Sequence, residues 1–255
     1  MPTTNRLTVI SANLQNPFFR LGRVNWAAIE ARLVAFARLA ADAAADVLLL
    51  QEVGRRDGFR VDEWLAERLG LTGVFEPANR AFGAEEGLAI LSRYPPARPV
   101  VCLLAGGLWR RPALGAVVAA PAGEVAVYTA HLSLRPWRNR RQPAALRAWV
   151  AATAGAVPAV IGGDFNAHET APQIIALSEE WIDAYRRINP AADGTTHTLH
   201  LGPWAFDRRL DYLFLGPGVP KLRIVSCEHL LPLAPDDLPF SDHRAVVTRF
   251  EQLAP

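Results

Sequence analysis

The chain has 255 residues, 51% of them hydrophobic and 20% charged, with a formal net charge of +2 at pH 7. That length and balance suit one globular domain over 1–255 and exclude a disordered or fibrous chain. No run of 18 apolar residues occurs, so no membrane span is expected, and near-neutral charge neither demands nor excludes a polyanionic partner.

The N-terminal MPTTNRLTVISANLQ lacks a charged start, a long apolar core and a small-residue cleavage site, so secretion is not expected and the cytoplasm is. Leu7–Ala12 reads as a strand. Trp26, Ile29, Leu33, Phe36 and Ala40 recur at helical spacing behind Asn25, a residue suited to an N-cap. Val47–Gln51 is a short apolar run, as in a strand covered on both faces. A short helix is expected over Val61–Leu69, then strands near Val74–Glu76, Leu88–Leu91 and Val100–Leu104. Val117–Ala119 and Val125–Ala130 form a hairpin pattern, and Pro143 starts a helix through Leu146, Trp149 and Val150. Ala159–Ile161, Asp211–Leu215, Leu222–Cys227 and Ala245–Phe250 complete the strands. Asn189–Arg209 reads as a long irregular loop, a feature that is often functional. Cys102 and Cys227 lie in strand-like segments with no partner motif and read as buried, reduced thiols. Lys221 is the only lysine among many arginines, a mark of base composition rather than of function. Several strands are joined too closely for a crossover helix. The expectation is therefore α+β, with mixed, mainly antiparallel sheets rather than a doubly wound parallel one.

Polar residues interrupt these apolar strands at their ends. Asn13, Glu52, His131, Asp164 and Asn166 follow strands; Asp211, Asp242 and His243 precede them. Antiparallel pairing sets the end of one strand beside the start of its neighbour, so all eight converge on one rim in this reading. Oxygen ligands without thiols suit Mg²⁺ or Mn²⁺. A hard cation, a free carboxylate and imidazoles suit hydrolysis of a phosphate ester.

At this point the blocks "SANLQ", "LLLQEV", "GLAILSR", "TAHLS", "GGDFNAH", "RRLDYLF" and "SDHRAV" make the sequence resemble the endonuclease/exonuclease/phosphatase superfamily, in that family's order from Ser11 to Val246. The resemblance implies a four-layer α/β/β/α sandwich, two sheets face to face with helices outside. It implies a Mg²⁺ ion, with Mn²⁺ as a substitute, held by Glu52 with Asn13, and Asp242 holding either the metal or the histidine. It further implies that Asp164 activates the attacking water and Asn166 holds phosphate or water. His243 would stabilise the transition state, Asp211 would orient His243, and His131 would meet a second phosphoryl oxygen. Glu76, Glu85 and Glu86 all stand open as the acid paired with His131. His168 has no role in the shared pattern.

Taken singly, each of these residues also reads as a capping or turn residue; their order favours function. The stretch RPWRNRRQ, with Arg135, Trp137 and Arg138, suits phosphate and base contacts, yet a solvated helix start is the better reading. Trp204 and Phe206 read equally as a wall for the leaving group and as loop anchors; Arg209 joins the expected substrate contacts. His197 and His200 read as loop histidines. The leading function is a metal-dependent phosphodiesterase, nuclease-like, with nucleic acid among its substrates. The alternative is a phosphomonoesterase or phospholipase-C-type enzyme, and a remoter one an inactive binding module. No obligate protein partner is evident.

Overall fold

Strand β1 (Arg6–Asn13) shows how the layers arise. Leu7 and Val9 point into one apolar cluster and Ile10 and Ala12 into another, as side chains on a strand alternate between faces. β2 (Val47–Arg56) does the same: Val47 and Leu49 face inward, while Leu48 and Leu50 pack beneath α1 (Trp26–Asp42). Both faces of these strands are covered, and the apolar runs of the sequence follow from that. The computed structural model describes residues 5–19, 24–104, 107–121, 123–216, 222–231 and 239–252.

The first sheet also contains β3 (Phe59–Arg60), β4 (Thr72–Ala81), β5 (Ala84–Ser92), β14 (Leu222–Leu230) and β15 (Ala245–Gln252). Its order is β14-β15-β1-β2-β5-β4, with β3 beside β2. The second orders β10-β13-β9-β8-β7-β6, from β6 (Ala97–Leu104), β7 (Arg111–Ala120), β8 (Gly123–His131), β9 (Ala159–Asp164), β10 (Ile182–Asp183) and β13 (Asp211–Leu215). β1–β2 and β8–β9 are parallel pairs; the other pairs are antiparallel. Helix α1 and α2 (Val61–Leu69) cover the first sheet, and α4 (Gln142–Ala154) and α5 (Pro172–Ser178) the second. An inter-sheet cluster of Val47, Leu49, Ile90, Leu114, Val127, Val160 and Leu213 joins them. This is the expected four-layer sandwich. Asn25 caps α1, its side chain accepting from the Ala28 amide at 3.1 Å. α3 (Pro136–Asn139) and α6 (Ala184–Ile188) are short helices beside the second sheet's strand ends.

Two expectations are corrected. The stretch 189–209 is not irregular throughout: β11 (His197–Leu201) and β12 (Trp204–Arg208) form an antiparallel hairpin. Its polar and aromatic residues carry no apolar alternation toward a core, so the pattern of a strand is missing from its sequence. Cys227 is buried, its thiol pushed up to about 12 by burial against the hydrogen bond from Thr248, but Cys102 is only half-buried. Among the described residues no helix is long and apolar enough to cross a membrane.

A buried ion cluster ties α6 to the loop after β9. Arg209, 1% exposed, donates to Asp183 at 2.7 and 2.6 Å and to Glu169 at 2.9 Å. Removing one member of a buried pair leaves the other charge uncompensated, so Arg209→Ala is expected to cost about 3–5 kcal/mol in urea unfolding. A loss below about 1 kcal/mol, the range of surface pairs, would show that the cluster contributes little. Glu169 is held at about 2 by its hydrogen bond from Arg186, against burial and with help from Arg209. A depressed carboxyl stabilises the fold above its unfolded value, and that stability goes as the group protonates. The melting-temperature advantage of wild type over Glu169→Gln should therefore shrink as pH falls from 4.5 towards 2. An advantage that does not change with pH would contradict this.

Candidate active site

Strand pairing brings the polar strand ends to one rim. Asn13 lies opposite Gln51 in the parallel β1–β2 pair, and His131 opposite Asp164 in the parallel β8–β9 pair. Asp164 also lies opposite Asp211, because β9 and β13 run antiparallel. The two glycines before Asp164 allow this close fit. A Cβ on Gly163 would meet the Ala130 carbonyl oxygen at 2.1 Å, and one on Gly162 would press into Ser11 and Leu49 of the facing sheet.

Glu52 stands on a bulge. The β2–β5 register shifts between Leu50 and Val53, and Glu52 has φ 52°. A bulge re-aims a side chain, and a positive φ away from glycine stores strain of the order of 1–3 kcal/mol. Gln51 stays between the sheets, its Nε2 donating to Leu49 O and Thr129 Oγ1 at 2.8 Å each. Glu52 turns the other way. Its Oε2 accepts from the Asn16 amide at 3.0 Å and its Oε1 from Asn13 Nδ2 at 3.2 Å.

Asn13 Nδ2 also donates to Asp164 Oδ2 at 3.1 Å, which links the two carboxylates. Asn166, with φ 47°, closes a turn in which its amide N–H donates to Asp164 Oδ1 at 2.8 Å. Its side-chain nitrogen donates to Leu132 O at 3.0 Å and Asp164 Oδ2 at 3.2 Å. Asp164 is 2% exposed, and burial followed by the Asp211 charge raises its pKa, with His243 and the Asn166 amide opposing.

His243 Nδ1 meets Asp211 Oδ2 at 2.8 Å. Burial alone would discharge the ring, but the Asp211 charge and hydrogen bond, with Asp164 and Asp242, outweigh it and raise the pKa to about 10. His243 is therefore an imidazolium that donates to Asp211. Thr196 Oγ1 fixes that aspartate by accepting from the amides of Leu210 and Asp211 at 3.0 and 3.1 Å. Asp164, Asp211 and His243 present ligand-type atoms within 4.8 Å of one another, as do His197, Asp242 and His243.

His131 Nε2 lies 3.5 Å from Asp164 Oδ2 and 4.0 Å from Glu52 Oε1. Burial, then the charges of Arg111 and His243, lower its pKa well below the ordinary value, so the ring is neutral and these are polar contacts rather than ion pairs. None of the three acids left open for His131 is among these contacts. Glu76 turns to Arg110 at 3.7 Å, Glu85 to Arg80 at 2.8 Å, and Glu86 sits beside Glu52. Glu86 is pushed up to about 7 by burial and the Glu52 charge, with Arg111, Asn16 and Asn79 opposing.

The outer residues divide. Arg209 belongs to the buried cluster rather than to a substrate surface, which corrects the expectation that it meets substrate. Trp137 is 59% exposed with Arg138 stacked 4.5 Å from its ring, and Arg135 is exposed. Asn139 ties this segment to the site by donating to Phe165 O at 2.7 Å. Trp204 and Phe206 are exposed, so they do not anchor the hairpin to the core. His168 is an exposed turn residue within 3.0 Å of Thr170 Oγ1. Asp242 meets Ser241 Oγ at 3.3 Å and His197 Nε2 at 3.7 Å. His197 is no simple loop histidine, for its ring centroid lies 4.6 Å from that of His243. The side chain of His200 lies outside the described residues. Sequence reasoning missed Gln51, Asn16, Ser241 and Thr196. Gln51, Asn16 and Thr196 act through distant pairing or a bulge that no local pattern announces, whereas Ser241 makes local bonds to Asp242 and to the His243 amide, so the SDH stretch itself carried that signal.

The model of the endonuclease/exonuclease/phosphatase family matches residues 10–243. No curated protein matches the sequence. Among solved structures, an endonuclease/exonuclease/phosphatase from Beutenbergia cavernae is 24% identical with a TM-score of 0.75, covering 97% of this chain and 72% of that one. The human Nocturnin catalytic domain with bound sulfate is 20% identical with a TM-score of 0.78, covering 98% and 95%. TDP2 from D. rerio, complexed with a single-strand DNA product, is 17% identical with a TM-score of 0.75, covering 96% and 98%. At these identities the likeness to solved structures is one of fold.

Proposed function

Since the chain belongs to the endonuclease/exonuclease/phosphatase family, we propose that it hydrolyses phosphodiester bonds by in-line attack of an activated water, with a divalent metal ion. The observation that carries this reading is the meeting of Asp164, Asp211 and His243 at one rim, with Glu52 joined to Asp164 through Asn13.

The donor set fits a hard cation. Glu52, Glu86 and Asp164 gather with no thiol or basic side chain hydrogen-bonded to them among the described residues, and mutual repulsion contributes to the raised pKa of the last two. Glu52 would hold Mg²⁺ or Mn²⁺, with Asn13 joining once its amide rotates to present oxygen. Asp242, held by Ser241 and His197, fits better as support for the histidines than as a metal ligand. When bound, the ion would neutralise phosphate charge.

The protein's own groups do the rest. Asp164 orients the water and takes its proton; its raised pKa makes it a stronger base than an ordinary carboxylate. Asn166 and Asn13 hold that carboxylate in place. His243, charged and held by Asp211 through Nδ1, offers Nε2–H to the charge developing on the phosphoryl oxygens. Neutral His131 offers a hydrogen bond without a charge.

The test is hydrolysis of bis(p-nitrophenyl) phosphate, p-nitrophenyl phosphate, single-stranded DNA and sphingomyelin, each with Mg²⁺ and with EDTA. Metal-dependent cleavage of the diester and of DNA is expected. Release from the monoester alone, or from sphingomyelin alone, would move the assignment to a phosphomonoesterase or a phospholipase-C-type enzyme. No release from any substrate would favour a binding module.

A further inference from the structure

The β11–β12 hairpin belongs to neither main sheet. Its base is tied to the site. The Thr196 amide donates to Arg208 O at 2.9 Å, the Arg244 amide donates to Thr196 O at 2.7 Å, and an isolated bridge pairs His197 with His243. Beyond the base, β12 is exposed along its whole length. A lone two-stranded hairpin is marginal in water, and exposed apolar side chains grouped on one face mark a binding surface.

Register shows which side chains share that face. His197 lies opposite Arg208 and Leu199 opposite Phe206. Directly opposed residues in an antiparallel pair lie on the same face, and alternate residues along a strand return to it. His197, Leu199, Trp204, Phe206 and Arg208 therefore form one surface. It starts at the catalytic rim, where His197 lies 3.7 Å from Asp242 and its buried Nδ1 has no hydrogen-bond partner. It runs outward to Phe206, 45% exposed, and Trp204, 66% exposed. Basic groups stand at the phosphate end and rings farther out.

We infer that this face is a subsite for the organic group attached to the scissile phosphate, and that the group is a nucleobase, with His197 and Arg208 at the phosphate end. The inference rests on the phosphodiesterase reading above and specifies its substrate. Same-face side chains on a strand are about 6.8 Å apart, which is twice the ~3.4 Å rise between stacked bases. A flat ring therefore fits between Trp204 and Phe206. Trp204 adjoins the Gly202–Pro203 turn, whereas Phe206 and Arg208 lie along the flank towards the rim; a line of rings and a basic group running from tip to catalytic rim suits a bound substrate better than a membrane wedge.

The experiment is calorimetric titration of the Mg²⁺-loaded protein with thymidine 5′-phosphate and with deoxyribose 5-phosphate, which differ only by the base. The base is expected to tighten binding by about 5- to 150-fold, the range for one base stacked on aromatic side chains. In the Trp204→Leu/Phe206→Leu double variant, which keeps apolar area and loses the rings, that ratio should fall towards one. Trp204→Phe/Phe206→Tyr should keep it. His197→Gln should weaken both ligands together, as a group at the phosphate end must. A ratio near one in wild type, or a ratio that survives the leucine pair, overturns the subsite while the diesterase assay still stands. If neither ligand binds, the phosphate site fails and the inference with it. Binding to phosphatidylglycerol vesicles that survives the leucine pair, with no advantage from the base, would make the face lipid-directed and overturn the nucleobase assignment.

Discussion

Asp164→Asn is expected to lower kcat on bis(p-nitrophenyl) phosphate by about 10²–10⁴-fold, the contribution of a well-placed general base. The substitution keeps shape, removes the capacity to take a proton, and sets an amide NH₂ against donors that the carboxylate oxygens now accept from, either the Asn166 amide or the Asn13 and Asn166 side chains. It also removes a buried charge set beside Asp211, which offsets that loss, so the variant should melt close to wild type. Lost rate with retained stability is the signature of a group kept for chemistry. A wild-type rate would remove Asp164 from the reaction, and a collapsed melting temperature would make it a structural residue.

His243→Ala should cost about 10²–10³-fold in kcat, as expected when a preorganised donor to transition-state charge is lost. The sharper result concerns Asp211, which acts through His243. Burial lowers the His243 pKa and the Asp211 charge and hydrogen bond raise it, with the net value about 10. If the imidazolium is the active form, activity falls as pH rises through that value. Asp211→Asn removes the opposing charge and leaves the burial, so the alkaline limb of kcat/KM should move down towards or below the ordinary 6.5. A purely structural aspartate would lower the rate at every pH and leave the limb where it was.

Much of this site is legible in the sequence because strands end in fixed places. Leu7–Ala12, Val47–Leu50 and Ala159–Ile161 bury apolar side chains on both faces, so Asn13, Glu52 and Asp164 stand out as polar groups that follow closely on apolar runs. What pairs with what is less legible. Glu86 lies beside Glu52 because β5 pairs with β2 around a bulge, and no local pattern gives that register. Arg209 looks like a substrate contact in RRLDYLF, yet Asp183 and Glu169, both well before it in the chain, fold around it. The hairpin was hidden for another reason. All of β12 is exposed, so the burial that writes a strand pattern into a sequence has not acted on it.

Groups contributed by five strand ends and by the bulge in β2 are proposed to work as one acid–base assembly around a hard ion. The most direct measurement is the rate of bis(p-nitrophenyl) phosphate hydrolysis across a Mg²⁺ titration in wild type and Glu52→Gln. Wild type should be silent in EDTA and saturate with Mg²⁺, whereas Glu52→Gln should need far more Mg²⁺ to reach any comparable rate. Superimposable titration curves, or hydrolysis that persists in EDTA, would contradict it.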